Sequence, residues 1–274
     1  MNKILTIAGS DCSGGAGIQA DIKTITVHRA YAMSVITALT AQNTLGVPGI
    51  CECTPQFVEL QMQAVFEDIP PNAVKIGMTS DNAIIAAIAD GLIKYNAKNI
   101  VLDPVMVSET GARLLKEEAA AALIDRLLPL ANVITPNLFE AEILSGIAIT
   151  DQADMPTAAA IISRRTKPGA AVLIKGGHLK GSANDLLYQN GECTWLEARR
   201  IDNPNTHGTG CTLSSAIACR LAEGLAPAEA VARAKAYLTA ALQDGLDIGH
   251  GKGPLNHCCL LPEKPADVKG DAVR

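Results

Sequence analysis

The chain has 274 residues, 48% of them hydrophobic, and 28 acidic residues against 23 basic ones leave a formal charge of −5. That apolar content fills one large core or two small ones, and the interspersed charges, with no basic block, exclude a nucleic-acid footprint. No stretch approaches the roughly 18 apolar residues that a membrane helix needs, and eight cysteines without CxxC spacing or a secretory leader point to a reduced, cytoplasmic setting.

In chain order, residues 3–8 are a short apolar run before a Gly/Ser/Asp turn, and 17–29 carry Ile18, Ile22, Ile25 and Val27 near helical spacing. Residues 33–41 read as a second strand and 55–69 as an amphipathic helix that stops at Pro70-Pro71. Strands at 73–76, 100–102, 133–134 and 171–174 are predicted to alternate with helices at 81–95, 116–128, 138–144 and 155–165. Segments 186–188 and 193–196 read as an edge hairpin, because Asn190-Gly191 between them supplies the positive φ angles of a tight turn. Helices at 212–223 and 227–243 close the body, and polar residues 263–274 are expected to form a disordered tail. Alternating β and α units without a linker imply one α/β domain over 1–262, its mostly parallel sheet covered by helices on both faces.

In open parallel sheets ligands gather beyond the carboxyl ends of the strands, so the loops there are where chemistry is expected. The richest is 205–212, Asn-Thr-His-Gly-Thr-Gly-Cys-Thr, a glycine turn opening a helix whose first N–H groups suit a phosphate-like anion. Cys211 falls in that first turn, where a helix N-terminus lowers a thiol pKa into the range of roughly 3.5–7.5; the other reading is a small apolar residue packing the helix start. Gly15-Ala16-Gly17-Ile18-Gln19-Ala20 fits the dinucleotide pattern formally. The ribose-binding acid about 20 positions on is missing, since no Asp or Glu stands between Asp21 and Glu52. The only Gly-Lys, Gly251-Lys252, is followed by glycine, which rules out a Walker loop. Asn137 and Glu140 read two ways, as a helix cap or as oxygen groups for Mg²⁺ and its waters. Asp103 before Pro104 likewise reads as a turn residue or part of a cation site, and Lys175 with His178 as phosphate-compensating charges or flanks of a tight Gly-Gly turn. Cys51 and Cys53 lack the second ligand pair of a zinc site.

Taken together, Ala8-Gly9-Ser10-Asp11, residues 13–21, Lys75-Ile76-Gly77-Met78, Asp103-Pro104-Val105, the 205–212 turn and residues 251–257 resemble the hydroxymethylpyrimidine/phosphomethylpyrimidine kinases of thiamine biosynthesis, within the ribokinase-like superfamily. The resemblance spans roughly residues 1 to 257 and departs at Cys12, where the family usually has proline, a change expected to soften the first loop. It implies a ribokinase-like sheet of about eight or more strands, commonly in a homodimer. It also implies two successive ATP-dependent phosphorylations, of 4-amino-5-hydroxymethyl-2-methylpyrimidine and then of its monophosphate, with pyridoxal kinase as the nearest alternative. By position in the matching motifs, Asp21, Gln42, Met78 and Val105 are expected to line the pyrimidine pocket. Asn137 and Glu140 would organise Mg-ATP, with Asp103 and Glu140 toward Mg²⁺, while Lys175 and Lys235 face the nucleotide. Gly208, Thr209 and Gly210 would give N–H groups to the developing charge, and Cys211 would be the base.

Overall fold

The structure, a computed structural model, describes residues 1–108, 111, 114–116, 118–177, 184–197 and 201–262. The expected tail at 263–274 and His178 lie outside the described residues.

Strand β1 (Lys3–Asp11) leads into helix α1 (Gly17–Val27), strands β2 (Tyr31–Asn43) and β3 (Gly46–Glu52), and helix α2 (Pro55–Asp68). Thr54 starts α2 by accepting a hydrogen bond from the Phe57 N–H, with proline in the first turn where a missing N–H is harmless. Then β4 (Ala73–Ile76), α3 (Asn82–Lys94), β5 (Ile100–Leu102), α4 (Ala119–Ala122), β6 (Val133–Ile134), α5 (Leu138–Ser145), α6 (Met155–Ser163) and β7 (Ala171–Ile174) alternate along the chain. Strands β8 (Asp185–Gln189) and β9 (Glu192–Leu196) form the hairpin, with φ of 52° at Asn190 and 87° at Gly191, and helices α7 (Thr209–Ala222) and α8 (Pro227–Asp244) follow.

The strands make one nine-stranded sheet in the order β3-β2-β1-β4-β5-β6-β7-β8-β9. From β2 to β7 the neighbours are parallel, while the pairs β2–β3, β7–β8 and β8–β9 at the two edges are antiparallel. Successive strand residues face opposite sides of a sheet, so Ile4, Val101 and Leu173 pack against Ile25, Ile217 and Tyr237 of α1, α7 and α8. Leu5, Leu102 and Ile174 pack on the other face with Met62, Ile88, Leu144 and Ile162 of α2, α3, α5 and α6. Burying each such aliphatic side chain contributes about 1.5–3 kcal/mol, and both faces are dry, which explains why the strands read as continuous apolar runs.

Three elements differ from expectation. Strand β1 continues through Gly9-Ser10-Asp11, with a register shift against β2 between Ala8 and Ser10, so the first loop begins later than the glycine suggests. Strand β3 was not predicted because Pro48 and Gly49 interrupt its pattern; as an antiparallel edge strand it tolerates a residue that cannot donate. The helix expected over 116–128 is α-helical only at Ala119–Ala122, then widens to a π turn at Leu123–Leu127 and tightens to a 3₁₀ turn at Leu128–Leu130. Pro129 lacks an N–H and its ring collides with the preceding turn of a regular helix, which forces that change.

Candidate active site

The chain builds outward in both directions from β1 and β4, and at such a switch point the loops beyond the strand ends diverge. An open cleft of ≈ 1210 Å³ lies there, bordered by the loops after β1, β4, β5, β6 and β7 and by the start of α7.

Asp11 organises the first loop. Its carboxylate accepts from the N–H groups of Ser13, Gly15 and Ala16 at 2.9, 3.1 and 2.8 Å, and from His207 Nε2 at 2.9 Å. Burial opposes its ionisation, but the bonds from His207, Ser13 and Ala16 overrule burial and hold the carboxyl at about 2. The His207 bond joins the loop to the glycine turn before α7. There Gly208 has φ of 87°, and a Cβ on it would stand 2.0 Å from the Gly15 carbonyl oxygen. A Cβ on Gly15 would meet the His207 ring at 2.4 Å, so the two glycine segments interlock by backbone contact.

Of the three N–H groups expected to serve an anion, that of Thr209 is spent on the Thr206 carbonyl at 3.2 Å, which removes it from the set. Those of Gly208 and Gly210, and that of Cys211, have no acceptor among the described residues. Cys211 borders the cleft as expected, but its thiol is not acidified: burial pushes it up to about 11, against the opposing pull of the Lys75 ammonium. Burial and the nearby carboxylates of Asp21 and Asp103 thus outweigh the ammonium and the hydrogen bond from the Gly17 backbone.

On the nucleotide side of the expected layout, Asn137 and Glu140 form a reciprocal capping box at the start of α5. Asn137 Oδ1 accepts from the Glu140 N–H at 2.9 Å, and Glu140 Oε2 from the Asn137 N–H at 2.8 Å. The cap uses one carboxylate oxygen, and the Met106 N–H also donates to the carboxylate. Burial raises Glu140 to about 7; Lys175 pulls it down, Asp103 pushes it up. Lys175 Nζ donates to Asp103 Oδ1 at 3.1 Å, and Thr135 Oγ1 donates to the same oxygen at 3.1 Å. Two clustered carboxylates beside the glycine turn fit Mg²⁺, which binds through one or two carboxylates plus phosphate and water oxygens. Lys235 borders the same cleft and is ion-paired with Asp185, whose other oxygen accepts from the Gly176 N–H at 2.9 Å.

At the opposite end, Gln42 at the close of β2, buried Met78 and half-buried Val105 border the cleft together. The Gln42 carboxamide stands between His207 Nε2 at 3.2 Å and Thr40 Oγ1 at 2.9 Å. Cys12, rather than softening the loop, ties it to the same residue: its Sγ donates to the Gln42 carbonyl at 3.2 Å and accepts from the Gln42 N–H at 3.3 Å. Asp21 does not line the cleft. It is wholly buried on α1, where it accepts from Lys75 at 2.9 and 2.8 Å, Thr6 at 2.5 Å and Ser215 at 2.7 Å. A carboxylate so fully engaged has no oxygen left for a ligand.

Sequence reasoning gave no role to Asp11, His207, Lys75 or Asp185. Asp11 and His207 stand 196 positions apart, so no local spacing pairs them.

A sequence profile described as phosphomethylpyrimidine kinase matches residues 11–256. The chain is 54% identical over 258 residues to the hydroxymethylpyrimidine/phosphomethylpyrimidine kinase of Rhizobium meliloti, covering 92% of this chain and 96% of that one. It is 50% identical to the thiamine biosynthesis bifunctional protein ThiED of Geobacter sulfurreducens, over 93% of this chain and 52% of the relative. Among solved structures, an ADP complex of Bacillus subtilis pyridoxal kinase superposes with a TM-score of 0.86 at 38% identity, covering 95% of this chain and 98% of the other.

Proposed function

Because the chain belongs to the phosphomethylpyrimidine kinase family, we propose that the cleft beyond the carboxyl ends of β1 and of β4 to β7 is where it carries out two successive phosphoryl transfers. The chain is a hydroxymethylpyrimidine/phosphomethylpyrimidine kinase of thiamine biosynthesis. It uses ATP to phosphorylate 4-amino-5-hydroxymethyl-2-methylpyrimidine and then the resulting monophosphate. The observation that carries the site assignment is the glycine turn at Gly208–Cys211, whose uncommitted N–H groups border the same cleft as Gln42.

In the first transfer the hydroxymethyl oxygen bonds to the γ-phosphorus, the bond to the β,γ-bridging oxygen breaks, ADP leaves, and the hydroxyl proton passes to the thiolate form of Cys211, a minor species at neutral pH. In the second, an oxygen of the bound monophosphate is the nucleophile and carries no proton to be removed. Phosphoryl transfer depends chiefly on positioning and charge stabilisation. The N–H groups of Gly208, Gly210 and Cys211 stabilise charge on the transferring group, and Lys175 and Lys235 exchange their carboxylate partners for nucleotide phosphates. Asp103 and Glu140 hold Mg²⁺ directly or through water, and Asn137 fixes Glu140. When bound, the metal neutralises phosphate charge. Gln42, Met78 and Val105 contact the pyrimidine, the carboxamide pairing with a ring nitrogen and the exocyclic amine. A homodimer belongs to the same reading, supported by exposed Leu39, Leu45 and Ile50 along the β2–β3 edge, as does a cytoplasmic setting, supported by eight free cysteines.

The likeness to pyridoxal kinase favours one second reading, phosphorylation of pyridoxal in the same cleft. Incubation of the purified protein with ATP and Mg²⁺ against a panel of hydroxymethylpyrimidine, its monophosphate and pyridoxal decides. Mono- and diphosphate products of the pyrimidine at a kcat/KM above that of pyridoxal are expected. Turnover of pyridoxal alone overturns the assignment.

A further inference from the structure

Each end of the Gln42 carboxamide meets a group that already has another partner. One end lies 3.2 Å from His207 Nε2, which is itself 2.9 Å from Asp11 Oδ2. The other lies 2.9 Å from Thr40 Oγ1, which is itself 2.9 Å from the Ser10 carbonyl oxygen. Carboxamide oxygen and nitrogen are told apart by such partners. The Asp11 carboxylate can only accept, so His207 Nε2 carries a hydrogen; the Ser10 carbonyl can only accept, so the single Thr40 hydroxyl hydrogen goes there. A Gln42 nitrogen at His207 would set N–H against N–H, and a Gln42 oxygen at Thr40 would face a hydroxyl with no hydrogen left. Turning the amide over relieves both conflicts: Oε1 becomes the second acceptor of the His207 Nε2–H that Asp11 already holds, and Nε2 donates to Thr40 Oγ1.

We infer that His207, held by Asp11, is a positioning residue for the pyrimidine, because it fixes which end of the Gln42 carboxamide faces which side of the cleft. The inference rests on the reading that Gln42 contacts the ring. With the oxygen on the His207 side, Gln42 offers an acceptor there and a donor on the Thr40 side. The substrate edge presents a ring nitrogen that accepts beside an exocyclic amine that donates, so it docks in one sense only, with its amine toward His207. The 5-hydroxymethyl group is the amine's other ring neighbour, and it therefore points toward the segment that follows His207, the Gly208–Cys211 turn. The opposite amide order would send it toward Thr40 and away from the transferring phosphate. Asp11 and His207 thus select the productive orientation without touching the reacting atoms.

The test compares His207→Phe, which keeps a ring but loses the donor, with His207→Gln, whose amide nitrogen can occupy the Nε2 position. Phenylalanine is expected to raise KM for hydroxymethylpyrimidine by about tenfold to a hundredfold, as loss of a buried pairing does, with KM for ATP changed less than about twofold. Glutamine is expected to recover most of that loss. Equal damage by both variants, or a fall in kcat with both KM values unchanged, overturns the inference. Should His207→Phe not fold, ¹⁵N NMR of the wild-type imidazole decides: a hydrogen on Nε2 is expected, and an Nδ1–H tautomer overturns it. Gln42→Leu separates the two levels. If it leaves pyrimidine KM unchanged, the contact reading itself fails, whereas a raised KM there with no effect of His207→Phe sinks only the positioning role.

Discussion

Lys75 Nζ lies 2.9 and 2.8 Å from the two carboxylate oxygens of Asp21, and neither side chain has any exposure. The pair joins β4 to α1, and Ser215 of α7 donates to the same carboxylate, so three elements under the cleft are tied at one point. Asp21→Asn leaves the Lys75 charge buried without its counter-ion, and stability is expected to fall by about 3–5 kcal/mol. Urea unfolding without substrates measures it. Because Asp21 does not border the cleft, the fraction that remains folded should keep a wild-type KM for pyrimidine; a large rise in KM with unchanged stability would return Asp21 to the pocket.

Glu140 is raised to about 7 by burial, with Lys175 opposing and Asp103 adding to the rise. A carboxyl whose folded value lies above its unfolded one holds an extra proton in the native state. Its contribution to stability is therefore full below the ordinary carboxylate range and is lost as pH rises through about 7. A cation favours the charged form, so half-saturation by Mg²⁺ should need less metal at pH 8 than at pH 6. Glu140→Gln keeps the helix cap, removes that pH dependence and weakens Mg²⁺-supported turnover. Identical Mg²⁺ titrations for both proteins would leave Glu140 with capping alone.

Cys211 is a thiol at neutral pH, because its value stands at about 11. If it takes the hydroxyl proton, the alcohol half-reaction should climb with pH, approaching about tenfold per unit above neutrality, since only the thiolate can accept. The monophosphate half-reaction serves as the internal control for Glu140 and Mg²⁺, and should climb far less. Cys211→Ala should abolish the alcohol-specific climb. Parallel pH profiles for both acceptors would remove the base assignment and leave Cys211 as part of the anion site.

Gly208→Ala meets two obstacles, a left-handed φ of 87° and a Cβ 2.0 Å from the Gly15 carbonyl. Both half-reactions should fall on the order of 10²–10³-fold, since the N–H groups that face the transferring phosphate move. Gly224 has a comparable φ of 89° but open space around its Cβ, so Gly224→Ala isolates the backbone strain. That variant should lose roughly 1–2 kcal/mol of stability while turning over normally. Equal activities for the two alanine variants would show that the interlock with Gly15 is dispensable.

The alternation of apolar runs and turn residues made the strands of the sheet centre legible, because a strand buried on both faces leaves an uninterrupted apolar signature. Strand β3 carries no such signature, because an edge strand tolerates Pro48 and Gly49, which break the apolar run. Asn137 and Glu140 were legible from spacing alone, three apart at a helix start. Asp21 was placed in the pocket by its motif, yet spacing could not reveal Lys75, its partner 54 positions away. Likewise the helix N-terminus alone makes the thiol of Cys211 look acidic, and only the packing around it reveals the burial that pushes it up.

The bond between Asp11 and His207 closes a loop of 196 positions, and the turn containing His207 is in turn held by the Gly253 carbonyl, which accepts from the His207 N–H at 3.0 Å. Contacts so distant along the chain carry the largest loop-closure entropy and are rewarded late in folding. The central parallel strands can pair before these final segments dock, so the apolar scaffold is expected to form ahead of the cleft. During synthesis, a ribosome that has not passed residue 253 holds a chain whose sheet strands are all present but whose His207 turn lacks the Gly253 carbonyl that holds it. Acquisition of activity should then lag behind acquisition of native circular dichroism in refolding, because the catalytic geometry is the last part of the molecule to have its partners.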